Sequence, residues 1–179
     1  MNRLTCPLRK AVPADAPALA ALHYTVWQTT YEGLAPAEAA ARLDVAHRLR
    51  AWEAALADPA RGAWLVEGDQ GLAGLVAIGP AGEDAAYAAQ PGPVGEIKHL
   101  YVAPGARRQG LGQRLLETAL DALAAQGCAT GALGVVRQNY AARLFYADTG
   151  GREVADFTDP GPLWRSLMVL VAWDLSGRR

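Results

Sequence analysis

The sequence predicts an α+β protein with a mixed, largely antiparallel central sheet flanked by helices. Three observations carry this. Strand-like and helix-like runs follow one another in the order strand, helices, three strands, helix, strand, helix, two strands. In the middle, Glu96 to Leu116 passes from a β-rich run through a glycine-bearing turn into an amphipathic helix, which implies a crossover between parallel strands. The last two strands, Arg152 to Phe157 and Arg165 to Trp173, read as an antiparallel pair across the loop Thr158 to Trp164.

Each element has its own justification. Leu4 to Val12 holds a short strand, and Pro13-Ala14-Asp15 starts a helix, with proline in the first turn and a carboxylate near the positive end of the dipole. Leu19, Leu22 and Val26 recur at helical spacing, carrying that helix to about Thr29. Gly33-Leu34-Ala35-Pro36 is a break, Ala37 to Leu43 a short helix, and Asp44 the cap of a third helix whose Val45, Leu49, Trp52 and Leu56 repeat until Asp58-Pro59. Gly62 to Glu67 and Gly71 to Gly79 form a hairpin about Gly68-Asp69-Gln70. The second strand is so rich in Gly and Ala that a bulky neighbour should pack across it. Pro80 to Gly95 lacks periodicity and reads as a mobile surface loop.

Ile97 to Val102 is the central strand and Ala103 to Gln109 the turn. Leu111, Leu115, Leu116, Ala119, Leu120 and Leu123 then line one face of a helix that Gly127 ends in the left-handed position. Ala129 to Val136 is a strand, and Asn139 to Ala147 a helix stopped by Gly150-Gly151. No repeat or linker divides the chain, so residues 1–179 read as a single domain.

Seventeen basic against eighteen acidic residues leave a net charge of −1, which gives no field to gather nucleic acid or an anionic membrane. No run approaches the ~20 apolar residues of a membrane span, and MNRLTCPLRK lacks the apolar core of a secretory signal. Cys6 and Cys128 form no CxxC pair and lack the histidines of a metal site. These features predict a soluble, cytoplasmic protein with a small-molecule or local protein partner, no metal and a buried, reduced Cys128.

The turn into the central helix is the candidate site. A helix start leaves main-chain N–H groups pointing one way with the positive dipole end behind them, which is an anion site. Gly110 and Gly112 let a bulky diphosphate approach the backbone, and Arg107 and Arg108 add charge at the rim. A Walker loop is excluded because no Lys-Ser or Lys-Thr follows, and a dinucleotide fingerprint because Leu115 stands where its third glycine belongs.

Arg107-Arg108-Gln109-Gly110-Leu111-Gly112 matches the [QR]xxGx[GA] signature of the GNAT superfamily of N-acetyltransferases. Leu100-Tyr101-Val102-Ala103-Pro104 resembles its LYVxP lead-in, and Asn139-Tyr140-Ala141-Ala142-Arg143-Leu144-Phe145-Tyr146 resembles its NxxAxxFY block. The order of elements is also similar to that family from end to end. The resemblance implies a GNAT-like acyl-coenzyme A N-acyltransferase fold, in which two strands splay, helped by a β-bulge, to admit the pantetheine arm. It further implies transfer of an acetyl group from acetyl-coenzyme A to a primary amine by direct attack in a ternary complex. The cofactor-binding positions carried over are Leu100, Tyr101, Val102, Arg107, Arg108, Gln109, Gly110, Leu111, Gly112, Asn139, Ala142 and Phe145.

Two side chains are candidates for the chemistry. Glu96, in the Gly95-Glu96-Ile97 setting, corresponds to a glutamate that accepts the amine proton in several members. The alternative is a solvated strand-end carboxylate or an ion-pair partner of Lys98 or Arg137. Tyr146 occupies the position whose phenol lies near the coenzyme A sulfur and protonates it, or else is a core aromatic. His99, a rival base, falls on the opposite strand face from Glu96 and reads as a core or sheet-face histidine. Asn139 also suits a helix cap.

The acceptor pocket draws on Trp27 to Leu34, Pro80 to Gly95 and Phe157 to Trp164. These segments offer Trp27, Tyr31, Tyr87 and Trp164 as aromatic surface and Glu32, Asp156 and Asp159 as acids, compatible with an amine on an apolar body. The chain departs from the family after Gly150, where Gly151 replaces a large apolar residue, and at Asp148, where a basic one is common. Loss of that plug predicts a gap or a looser turn beside Tyr146. The competing reading is a non-catalytic acyl-coenzyme A-binding module that tunes a protein partner; a different acyl donor or a hydroxyl acceptor is a third. The resemblance also admits a homodimer.

Overall fold

The computed structural model describes residues 7–178; the start of the expected first strand, and Cys6 with it, lie outside the described residues. The strands are β1 Leu8–Lys10, β2 Gly62–Gly68, β3 Gly71–Pro80, β4 Val94–Val102, β5 Thr130–Val136, β6 Arg152–Thr158 and β7 Leu167–Asp174, hydrogen-bonded in the order β1-β2-β3-β4-β5-β7-β6. The helices are α1 Ala16–Tyr31, α2 Ala37–Arg42, α3 Val45–Ala57, α4 Ala85–Ala88, α5 Leu111–Ala125 and α6 Tyr140–Asp148. The described residues form two compact units, one of residues 7–77 with 99–117 and one of residues 78–98 with 118–178.

In the first unit, β1 pairs antiparallel with β2. A 3-10 turn at Pro13–Asp15 leads into α1, and the Asp15 carboxylate accepts from the Val12 N–H and from Arg9, each at 2.8 Å. The Arg9 hydrogen bond holds that carboxyl below its ordinary value. Asp44 caps α3 as expected, accepting from His47 N at 2.7 Å. The apolar faces of α1 and α3 bury Leu19, Leu22, Val26 and Trp52 against Leu65 and Leu75 of the sheet. A fully buried leucine of this kind contributes about 1.5–3 kcal/mol. The expected bulky neighbour of β3 is α5: a Cβ at Gly74 would stand 2.8 Å from Leu115 Cδ1 and 3.2 Å from Leu111 Cδ2.

In the second unit, β4 and β5 pair in parallel at Val94/Thr130, Gly95/Gly131 and Glu96/Ala132, as the crossover requires. Gly95 and Gly131 lie against Leu123 and Leu120 of α5, where added methyl groups would collide with those side chains. β7 pairs antiparallel with both β5 and β6, with a register shift between Glu153 and Ala155. Gly127 and Gly150 both take the left-handed conformation, φ 86° and 85°. Cys128 is half-buried and free, and burial raises its thiol above the ordinary value.

Two expectations need correction here. The segment 80–95 is not simply a surface loop: Asp84 accepts from Ala86 N at 2.9 Å and opens α4, whose Tyr87 is only 4% exposed and packs against Phe157. The strand that follows begins at Val94 rather than Ile97, so Glu96 lies inside it and is no strand-end carboxylate.

Candidate active site

The entrance to α5 is built from main chain. A 3-10 turn at Pro104–Ala106 follows β4. Arg108 (φ 62°) and Gly110 (φ 79°) then turn through the left-handed region, an uncommon conformation for a residue like Arg108. The first hydrogen bond of the helix is donated by Arg114 N to Gly110 O at 3.1 Å, so Leu111, Gly112 and Gln113 have no acceptor for their N–H groups within it. A Cβ at Gly110 would meet nothing within 4 Å, which leaves the approach open. Arg107, Arg108 and Gln109 are exposed, but Arg107 Nε donates to Val102 O at 3.3 Å and Gln109 Nε2 to Gly105 O at 3.1 Å, which ties two of them to their own turn. This donor set suits a phosphate-bearing group.

Of the lead-in, Leu100, Tyr101 and Val102 end β4, and the Tyr101 hydroxyl lies 3.2 Å from His23 Nε2. His99 sits among aromatic rings, with centroids 4.6 Å from His23, 5.2 Å from Trp52 and 5.7 Å from Tyr101. Trp27 is buried beneath the Arg48 guanidinium, 5.0 Å away, so it is no surface aromatic. Tyr31 adjoins it at 5.6 Å and Glu32 is exposed at the end of α1.

In the second unit, Glu96 keeps company different from that of His99, as strand alternation requires. Its carboxylate accepts from the Tyr87 hydroxyl at 2.9 Å and pairs with Lys98, with 14% of the side chain exposed. Burial, and then the neighbouring carboxylate, push the Tyr87 phenol well above its ordinary value, so it donates at any physiological pH. Arg137 instead pairs with Asp156. Asp159 accepts from Gly161 N within its own turn.

Tyr146 is buried on α6, edge-on to Trp173 at 5.7 Å and beside half-buried Phe145 at 5.3 Å. Asn139 caps that helix, its side chain accepting from Ala142 N at 3.3 Å. The gap expected at Gly151 is absent. The Trp173 indole fills it, so that a Cβ at Gly151 would stand 2.6 Å from Cζ2, and the turn is closed by Gly151 N donating to Tyr146 O at 2.8 Å. The plug comes from β7 instead of from the turn.

Tyr87, expected as aromatic surface for the acceptor, is instead buried with its hydroxyl on Glu96, and the pair His23–Arg48 is one the sequence did not single out. Arg48 could have been noticed from its place four residues before Trp52, on the buried side of α3. Among the described residues no group of three or more His, Cys, Asp or Glu side chains could hold a metal ion, and no helix is long and apolar enough to cross a membrane.

The seven-stranded mixed sheet with its flanking helices is that of the acyl-coenzyme A N-acyltransferases. Among solved structures, the PaiA N-acetyltransferase of Thermoplasma acidophilum, in complex with coenzyme A, aligns with a TM-score of 0.69 and 18% identity over 95% of this chain and 100% of that one. YncA of Salmonella typhimurium, with acetyl-coenzyme A, gives 0.69 and 20% over 96% and 95%. At the sequence level, a probable N-acetyltransferase of Mycobacterium tuberculosis is 32% identical over 144 residues, covering 78% of this chain and 75% of that protein. Residues 24–150 match the model of the acetyltransferase (GNAT) family, and the chain belongs to that family.

Proposed function

We propose that this acetyltransferase moves an acetyl group from acetyl-coenzyme A to a primary amine by direct attack in a ternary complex, with residues 1–179 acting as one catalytic domain. The observation that carries the proposal is the trio of main-chain donors at Leu111, Gly112 and Gln113 behind an open Gly110. Each hydrogen bond to a charged oxygen is worth about 1.5–3 kcal/mol, so three suffice to anchor a diphosphate. Two of the structural neighbours were solved with coenzyme A or acetyl-coenzyme A, which supports the same co-substrate here.

Acetyl-coenzyme A supplies the activated acetyl group. The amine nitrogen forms the new C–N bond as the C–S bond breaks, so one proton must leave the nitrogen and one must reach the sulfur. Glu96 accepts the first, directly or through water. A carboxylate has about four lone-pair sites, so its bonds to Tyr87 and Lys98 leave room for a further donor. Tyr146 donates the second. Asn139, Ala142 and Phe145 flank the pantetheine, with Leu100 to Val102 offering backbone groups and Arg107 and Arg108 charge at the rim. The acceptor enters against Tyr31 and Glu32 at the end of α1.

The test is release of free thiol from acetyl-coenzyme A in the presence of polyamines, amino acids, aminoglycosides and peptide amino termini, with product masses measured. Turnover with a mass gain of one acetyl group on nitrogen is expected. Binding without thiol release across the panel would overturn the catalytic reading.

A further inference from the structure

One cluster in the first unit is untouched by this chemistry. Arg48 is 4% exposed, its Nη1 donates a hydrogen bond to His23 Nε2 at 2.5 Å, and Trp27 lies beneath the guanidinium. Arg48 Nε and Nη2, His23 Nδ1 and Trp52 Nε1 are buried without hydrogen-bond partners. Because His23 Nε2 accepts from Arg48, the imidazole proton must sit on Nδ1. Burial, with the charges of His99, Arg48 and His47, keeps that ring neutral.

All four orphaned atoms are therefore N–H donors, one side chain carries a full positive charge, and the walls are aromatic. Buried polar groups are nearly always satisfied, and a buried guanidinium ordinarily faces a carboxylate. What the cluster lacks is an acceptor bearing negative charge. A planar carboxylate matches the Nε/Nη2 edge of a guanidinium in bidentate fashion and has oxygens left for the His23 and Trp52 donors.

We infer that the Arg48–His23–Trp52 cluster is a binding site for a small carboxylate, carried by the amine acceptor or free in solution. The acceptor source rests on the acetyl-transfer reading above and on Trp27, which lies beneath Arg48 and adjoins Tyr31 of the proposed acceptor surface; the binding itself does not. Since the donors are closed off from solvent, admission requires a wall side chain to rotate.

The first experiment is independent of turnover. The melting temperature of the full chain is followed against acetate and formate at constant ionic strength, in the wild type, in Arg48→Gln and in Trp52→Phe. The expected result is a stabilisation that saturates in the wild type, is lost in Arg48→Gln, and has a midpoint several-fold higher in Trp52→Phe, which keeps the ring but removes one donor. Absence of saturation in the wild type overturns the site whether or not Arg48→Gln folds. Equal stabilisation of wild type and a folded Arg48→Gln also overturns it, since the anion then binds elsewhere.

A second arm separates the sources by comparing KM for an ω-amino acid and its amide. A KM at least about tenfold lower for the acid, as one lost charged hydrogen bond predicts, and equalised in Arg48→Gln, assigns the carboxylate to the acceptor. Equal KM values alongside saturable acetate binding assign the site to a free anion.

Discussion

At the entrance to α5 the groups that matter are main-chain N–H, and the polar side chains beside them are partly tied down, Arg107 to Val102 O and Gln109 to Gly105 O. Around Glu96 the reverse holds: a carboxylate on one strand is oriented by a phenol from α4 and an ammonium two residues along. A backbone site tolerates side-chain exchange and fails when a Cβ appears or φ changes sign. A side-chain site tolerates backbone-neutral neighbours and fails when one functional group is lost.

The largest effect that sharpens this contrast is expected at the side-chain end. Glu96→Gln should lower kcat by about 10²–10⁴-fold, the usual contribution of a positioned base, while leaving acetyl-coenzyme A affinity unchanged by calorimetry. Wild-type turnover would remove Glu96 from the reaction. At the main-chain end, Gly110→Val places a β-branched residue at φ 79°. Strain of about 1–3 kcal/mol together with misaligned donors should weaken acetyl-coenzyme A binding about 100-fold or more. Unchanged affinity in a folded variant would break the comparison outright.

Tyr146→Phe should slow turnover by about tenfold only, because a thiol of ordinary pKa near 8.5 needs little help to leave; single-turnover thiol release reads it. Tyr87→Phe removes a hydrogen bond to a charged group, worth about 1.5–3 kcal/mol of stability at neutral pH. It also has a signature in pH. The unfolded phenol loses its proton near its ordinary value of 10.0, whereas the folded one holds it well above that. The folded state therefore loses stability as pH rises past that value, and denaturant titrations should show a shallower alkaline decline in the variant. The smallest effect belongs to Arg107→Ala, expected to change acetyl-coenzyme A affinity by less than about threefold, as for an exposed charge screened by solvent.

The same contrast explains what could be read from the sequence. Backbone devices announce themselves locally: Asp44 and Asn139 as caps, Gly127 and Gly150 as left-handed stops, and Gly110 at the opening of α5 all stand where local patterns placed them. Side-chain devices depend on neighbours distant in the chain. Tyr87 lies on a four-residue helix, too short to show a period, inside a stretch of Ala, Gly and Pro. The Arg48–His23 contact joins α3 to α1, and neither residue belongs to a motif. The expected surface role of Trp27 failed for a related reason, since a position near the end of a helix does not reveal the guanidinium lying over it.

The Trp173 indole seated over Gly151 has an evolutionary corollary. Bulk next to Tyr146 can be supplied by the turn or by β7, but not by both, because the two side chains would claim one volume. Positions 151 and 173 are thus a coupled pair, each single exchange passing through an intermediate that is either overfilled or hollow. Relatives of this chain should be found to switch the two together, large for small and small for large.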